Sequence, residues 1–180
     1  MPQVIAFAGK IGSGKTTITK SLADALGWSR ASFGDYVRKV VRERKLEESR
    51  VVLQRVGTEL LRADPRDFCR LVLVTAGWRA GQDLLIDGLR HEETIEIIRQ
   101  LTQAETVQVV FVRISEEVRL GRLVGYEESD PSCRAIVEAH SSEAQVTSNL
   151  AKSANFAVDN DGPLPGTISE ILKWIDSLKR

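Results

Sequence analysis

Histidine and cysteine are scarce in this chain of 180 residues, which has only His91, His140, Cys69 and Cys133. With no C-x-x-C pair they form no obvious zinc set, and the natural compartment for such a chain is the reducing cytosol. An excess of one charge is also lacking. Twenty-five basic residues balance twenty-five acidic ones, so no global field draws the molecule to nucleic acid polymers or anionic membranes, and any affinity for phosphate has to be local. Long hydrophobic runs are missing as well. The amino terminus MPQVIAFAGK has no basic region ahead of its short apolar run, which falls far below the roughly 20 residues needed to span a bilayer. Neither export nor membrane anchoring is expected. Repeats, low-complexity tracts and long linkers are absent too, while a polar stretch near 126–132 and a Gly/Pro-rich one at 159–166 are expected to be surface loops. What is present, 42% hydrophobic and 28% charged residues, is the balance of one soluble globular domain able to bury a sizeable core.

Hydrophobic periodicity orders the elements. Residues 3–8 (QVIAFA) form a buried-strand run ending at Gly9, and Ile18, Leu22, Ala25 and Leu26 follow at helical spacing. Similar runs occur at 84–87 (LLID) and 107–114 (VQVVFVRI), separated by the helical set Ile95, Ile98 and Leu101, with a weaker strand at 156–158. Strands alternating with helices imply a parallel sheet covered on both faces. Between 35 and 81 the pattern is mostly helical, with breaks expected near Gly57 and at Asp64-Pro65. The final helix is expected to start at Thr167 as cap, with Glu170 reaching back. Right-handed crossovers then bring every strand's carboxyl end to one edge, where ligands of such sheets bind.

One segment carries a specific chemical signal. Gly9-Lys10-Ile11-Gly12-Ser13-Gly14-Lys15-Thr16 satisfies G-x-x-x-x-G-K-[ST] between a strand and a helix. Glycines let successive N–H groups face one concavity, the helix N-terminus adds positive potential, Lys15 reaches the β/γ-phosphates, and Thr16 can ligate magnesium. Thr17, next in the helix's first turn, joins the nucleotide-binding set, and ATP with Mg2+ is the expected cofactor pair.

Six other residues suit phosphoryl transfer, each beside a simpler alternative. Asp87 ends a buried strand where it can face the metal, although an Asp-Gly pair is also an ordinary turn. Arg90 follows that turn and can equally pair with Glu93. Asp35 can accept or orient the attacking hydroxyl's proton and Arg38 can grip an anionic acceptor, yet Ser32 and Asp35 also have capping-box spacing. After the strand 107–114, Arg119 and Arg122 can fold over the phosphates, or pair with Glu116, or stay solvated.

In this order the motifs resemble the nucleoside monophosphate kinase branch of P-loop proteins: adenylate kinases, deoxynucleoside monophosphate kinases and dephospho-coenzyme A kinases. Phe33-Gly34-Asp35 through Arg38 is similar to the adenylate kinase segment that binds the monophosphate. Leu85 through Arg90 resembles that family's D-G-F-P-R element without its proline, and Arg122-Leu123-Val124-Gly125 the entry to its lid. Leu53-Gln54-Arg55-Val56-Gly57-Thr58-Glu59, with Asp64 and Phe68 beyond, is similar to deoxynucleoside monophosphate kinases; Ala157 through Gly162 resembles the carboxyl-terminal strand and turn of dephospho-coenzyme A kinases.

The resemblance implies a three-layer α/β/α domain with a five-stranded parallel sheet, a helical acceptor-binding insertion at about 35–81 and a short lid at about 119–145. It further implies transfer from ATP to a small nucleotide-like acceptor, most simply a (deoxy)nucleoside monophosphate. Lys15, Asp35 and Arg122 would be catalytic, Arg119 would contact the nucleotide, Arg38 and Arg90 the acceptor, and Thr16 and Asp87 the metal. A dephospho-coenzyme A kinase-like activity is the alternative within enzymes. The acidic run Tyr126-Glu127-Glu128-Ser129-Asp130, ahead of Arg134, motivates a different class, a non-catalytic ATP sensor. No protein partner is indicated by the sequence.

Overall fold

The computed structural model describes residues 1–127 and 149–179. Five strands, β1 (Val4–Ala8), β2 (Ser29–Ser32), β3 (Leu84–Asp87), β4 (Val107–Arg113) and β5 (Phe156–Asp159), form one sheet in the order β2-β3-β1-β4-β5. Every pairing is parallel. The central strand β1 is apolar at every position and buried throughout, as a strand covered on both faces must be.

The alternation of its side chains sorts the helices into two layers. On one face, Ile5 and Phe7 pack with Ile18 and Leu22 of α1 (Lys15–Leu26) and with Ile171 and Ile175 of the last helix, α7 (Leu164–Ser177). Each fully buried side chain of this size contributes ~1.5–3 kcal/mol. Phe156 stacks on Trp174 at the rim, ring centroids 4.9 Å apart. On the other face, Val4, Ala6 and Ala8 meet α2 (Phe33–Glu43), α3 (Arg50–Ala63), α4 (Pro65–Thr75) and α5 (Glu93–Thr102). Helix α6 (Glu116–Glu127) follows β4.

Strands β1, β3, β4 and β5 lie where periodicity places them, β2 being too short to announce itself, and the break at Asp64-Pro65 is present. Asp64 adopts an extended conformation (φ −158°, ψ 98°), its side chain accepts from Asp67 N at 2.8 Å, and Pro65 opens α4. This is a helix start built from a capping acid and a proline that needs no N–H.

Three expectations are corrected. Helix α3 runs unbroken through Gly57, since one helical glycine costs only ~1 kcal/mol, which packing of the helix offsets; a Cβ there would make ordinary contact, 3.6 Å from Val37 Cγ2 of α2. Thr167 does not cap α7, which starts at Leu164 behind Pro163. The Thr167 hydroxyl instead lies 3.2 Å from the Asp159 carbonyl and 3.1 Å from Asn160 Oδ1. The stretch 159–166 is therefore not simply a surface loop, since Asn160 is buried and 164–166 are helical. Of the lid expected at 119–145, residues 128–145 lie outside the described residues, as do Cys133, Arg134, His140 and most of the polar stretch 126–132.

Candidate active site

The parallel sheet sends β1, β2 and β3 toward one edge, and the functional side chains gather there. In the loop after β1, Gly9, Gly12 and Gly14 have φ of +145°, +81° and +89°, a region closed to most side chains. Space forbids side chains as well: a Cβ on Gly9 would lie 2.5 Å from the Val112 carbonyl oxygen, and one on Gly14 2.5 Å from Asn160 Nδ2. Gly14 caps α1 without any side-chain acceptor, so the first N–H groups of that helix remain directed at the concavity. Lys15 Nζ donates to the carbonyls of Gly9 and Lys10, both at 2.7 Å, and so lies across the loop. Ser13 is buried, whereas Thr16 and Thr17 are exposed, Thr17 on the cleft wall.

The structure brings together Thr16 and Asp87, the two residues expected at a metal: Thr16 Oγ1 donates to Asp87 Oδ2 at 2.8 Å. Gly88 follows with φ +88° and turns the chain away. The pair fits magnesium, a hard cation that needs few protein oxygens because phosphates and water complete its shell. Among the described residues, no group of three or more His, Cys, Asp or Glu is placed to hold a metal. Thr16 and Asp87 would hold the ion.

Asp35 stands at the first turn of α2, where its N–H donates to Ser32 Oγ at 3.2 Å. The half of the capping box supplied by Ser32 is thus real. The Asp35 carboxylate turns elsewhere, accepting from Arg30 Nη1 at 3.0 Å and from Arg38 Nη1 at 3.1 Å. Burial alone would raise its pKa, but the hydrogen bond and charge of Arg30, joined by the charge of Arg38, outweigh it and hold the group below its usual range. A carboxylate so stabilised is better suited to orienting a hydroxyl than to taking its proton.

Arg30 is the site residue that sequence reasoning missed. Its side chain is only 13% exposed, and its Nη2 lies 2.5 Å from Asp87 Oδ2. The one available signal was a charged residue in the middle of the four-residue strand SRAS, just before the aspartate-bearing turn. That strand is too short for its alternation to be diagnostic.

A cleft of about 1600 Å³ runs from the phosphate loop past Asp87 to the helices α2–α4. Arg38, Arg90 and Arg122 all line it. Arg38 also reaches Glu48 at 3.5 Å, and Arg122 Nη2 donates to the Asn160 carbonyl at 2.7 Å. The far wall is apolar and aromatic: Phe33 and Phe68 meet edge to face with centroids 5.2 Å apart. Arg119 is not brought to the cleft. It is buried behind Gly12, with Nε and Nη2 donating to Glu116 Oε2 at 2.9 and 2.8 Å, as its pairing alternative had it. Glu116 also accepts from Lys10 of the phosphate loop, and these two partners lower its pKa to about 2.

Comparison with known proteins agrees with this architecture. A family model described as AAA domain matches residues 5–146. The chain belongs to that family. Among its relatives is a UPF0200 protein of Methanothrix thermoacetophila, 30% identical over 139 residues that span 76% of this chain and 74% of the relative. A cytidylate kinase of Haloarcula marismortui is 38% identical over 89 residues, 44% of this chain and 46% of the relative. Of solved structures, a gluconokinase from Sinorhizobium meliloti 1021 superposes with a TM-score of 0.65 at 15% identity, covering 98% of this chain and 93% of its own. At that identity the likeness concerns the fold alone. The matches agree on a P-loop fold of the kind found in small-molecule kinases.

Proposed function

We propose that this protein is an ATP- and Mg2+-dependent kinase that phosphorylates a (deoxy)nucleoside monophosphate. The observation that carries the proposal is the continuity of one cleft, lined at once by the phosphate loop, by Arg38 and Arg90 and by the Phe33–Phe68 pair. A planar base suits an aromatic wall, and a phosphate with up to two negative charges suits two arginines. The cytidylate kinase among the relatives makes CMP and dCMP the first acceptors to test.

The chemistry is positioning and charge neutralisation. Loop N–H groups and Lys15 bind the ATP phosphates, Arg38 and Arg90 hold the acceptor, and Asp35 orients its attacking oxygen. Arg122, held at the loop by the Asn160 carbonyl, supplies charge to the transferring group. Magnesium, when bound, neutralises phosphate oxygens and is kept by Thr16 and Asp87. A reducing compartment suits the one free cysteine among the described residues, Cys69, which burial pushes up to about 11. Also among the described residues, no helix is long and apolar enough to cross a membrane.

The test is ADP release from Mg-ATP with a panel of nucleoside and deoxynucleoside monophosphates, dephospho-coenzyme A, gluconate and shikimate. Turnover with one or more monophosphates is expected. Turnover only with a non-nucleotide acceptor overturns the acceptor assignment, and nucleotide binding with no acceptor consumed overturns the kinase assignment in favour of an ATP sensor.

A further inference from the structure

Arg30 spends each of its three guanidinium nitrogens on a different partner. Nε donates to Thr19 Oγ1 at 2.9 Å, Nη1 to Asp35 Oδ2 at 3.0 Å and Nη2 to Asp87 Oδ2 at 2.5 Å. Thr19 in turn donates to the Thr16 carbonyl at 3.2 Å, so the fork is braced from the phosphate-loop helix. Strand register explains the reach. Ser32 of β2 pairs with Asp87 of β3, and Arg30, two residues earlier, lies on the same face. The same register brings the start of α2, and with it Asp35, beside the end of β3.

The result is one nearly buried cation between the carboxylate on the metal side and the carboxylate on the acceptor side. Asp87 Oδ2 already receives the Thr16 hydroxyl, so the guanidinium and the hydroxyl share one oxygen of the carboxylate proposed to hold the metal. A fixed positive charge there opposes a divalent cation on the same carboxylate. It also locks the two carboxylates at a set separation, which a planar fork does and an ammonium does not.

We infer that Arg30 is a positioning residue that couples the two halves of the site, holding Asp35 in register with Asp87 at the expense of metal affinity. The inference rests on the kinase proposal for its acceptor half and on the Thr16–Asp87 pair alone for its metal half. Arg30 touches no reacting atom; it acts through Asp35 and Asp87.

The experiment follows free Mn2+ by electron paramagnetic resonance as the ion is titrated into protein with equimolar ADP, alongside steady-state kinetics with the best acceptor of the panel. Arg30→Met should bind Mn2+ about tenfold more tightly, since a unit charge beside a divalent ion is removed, while kcat falls by about 100-fold because Asp35 loses its orientation. Arg30→Lys restores the charge but not the fork: Mn2+ affinity should return to within about twofold of wild type, with kcat still depressed about tenfold or more. Because Arg30→Met leaves Asp87 buried without its cation, its fold is checked by circular dichroism, and Arg30→Lys carries the test if it fails to fold. Weakened or unchanged Mn2+ binding in Arg30→Met, or unchanged kcat in Arg30→Lys, overturns the inference. Tighter Mn2+ binding in a protein that turns over none of the panel supports the metal half and counts against the kinase proposal instead.

Discussion

The side-chain amide of Asn160 donates to the carbonyl of Ser13 at 2.7 Å, a buried bond between residues 147 positions apart. Its Oδ1 lies 3.1 Å from the Thr167 hydroxyl, its N–H donates to the Arg113 carbonyl, and its own carbonyl accepts from Arg122. Asn160 thus joins the end of β5 to the phosphate loop and to the arginine above it. Replacing it by Ala strands the Ser13 carbonyl in a buried place, which costs ~1–3 kcal/mol. Asn160→Ala should lose stability of that order in urea denaturation and weaken ATP binding several-fold in a fluorescent-nucleotide assay. Unchanged ATP affinity in the folded variant would reduce Asn160 to a structural residue.

Gly14 and Gly27 both have positive φ, +89° and +66°, and flank the same helix. A Cβ on Gly27 meets nothing within 4 Å, while one on Gly14 collides with Asn160 Nδ2. Gly27→Ala should therefore cost only the left-handed strain, ~1 kcal/mol in thermal or urea unfolding, with nucleotide binding intact. Gly14→Ala should displace Asn160 and lower ATP affinity by more than about tenfold, a gap of roughly 1.4 kcal/mol between the two variants.

The Lys10–Glu116–Arg119 cluster makes a pH prediction. Hydrogen bonds from Lys10 and Arg119 lower the Glu116 pKa from 4.5 to about 2. A depressed folded-state value means that the carboxylate's contribution is present above pH 4.5 and is lost as pH falls toward about 2. Because the glutamate is half exposed, the effect is small. Chemical denaturation should show wild type more stable than Glu116→Gln at pH 6, with the difference shrinking as pH is lowered through that window. A difference that grows on acidification would assign the stabilisation to another group.

Arg38 and Arg90 line the cleft that the phosphate loop also lines. Arg38→Ala and Arg90→Ala should each raise KM for the monophosphate about tenfold or more while leaving KM for ATP within about twofold, the pattern of a lost acceptor contact. Arg38→Ala should also lower kcat, since its guanidinium steadies Asp35. Should KM for ATP rise and KM for the acceptor hold, the acceptor lies elsewhere.

Much of this was legible in the amino-acid order because it is local. The phosphate loop is eight consecutive residues whose chemistry needs no distant partner, and β1, β3 and β4 announce themselves as apolar runs. The Asp64-Pro65 helix start is likewise a matter of neighbours. The pairing of Thr16 with Asp87 followed from putting a strand-end carboxylate beside the loop of an adjacent parallel strand. Tertiary structure alone decided the rest. Gly57 reads as a breaker yet lies inside an unbroken helix once the helices pack, and Thr167 reads as a cap until the turn after β5 presents Asn160 to its hydroxyl. Arg119 and Arg122 lie three residues apart on one helix, yet one is buried on Glu116 and the other lines the cleft. Arg30 acquires its partners 57 and 5 residues away only once β2 and β3 are in register. A helix, a strand or a loop is dictated by spacing over a few residues. Which oxygen a guanidinium meets depends on sheet register and crossover direction, quantities that no short stretch of chain contains.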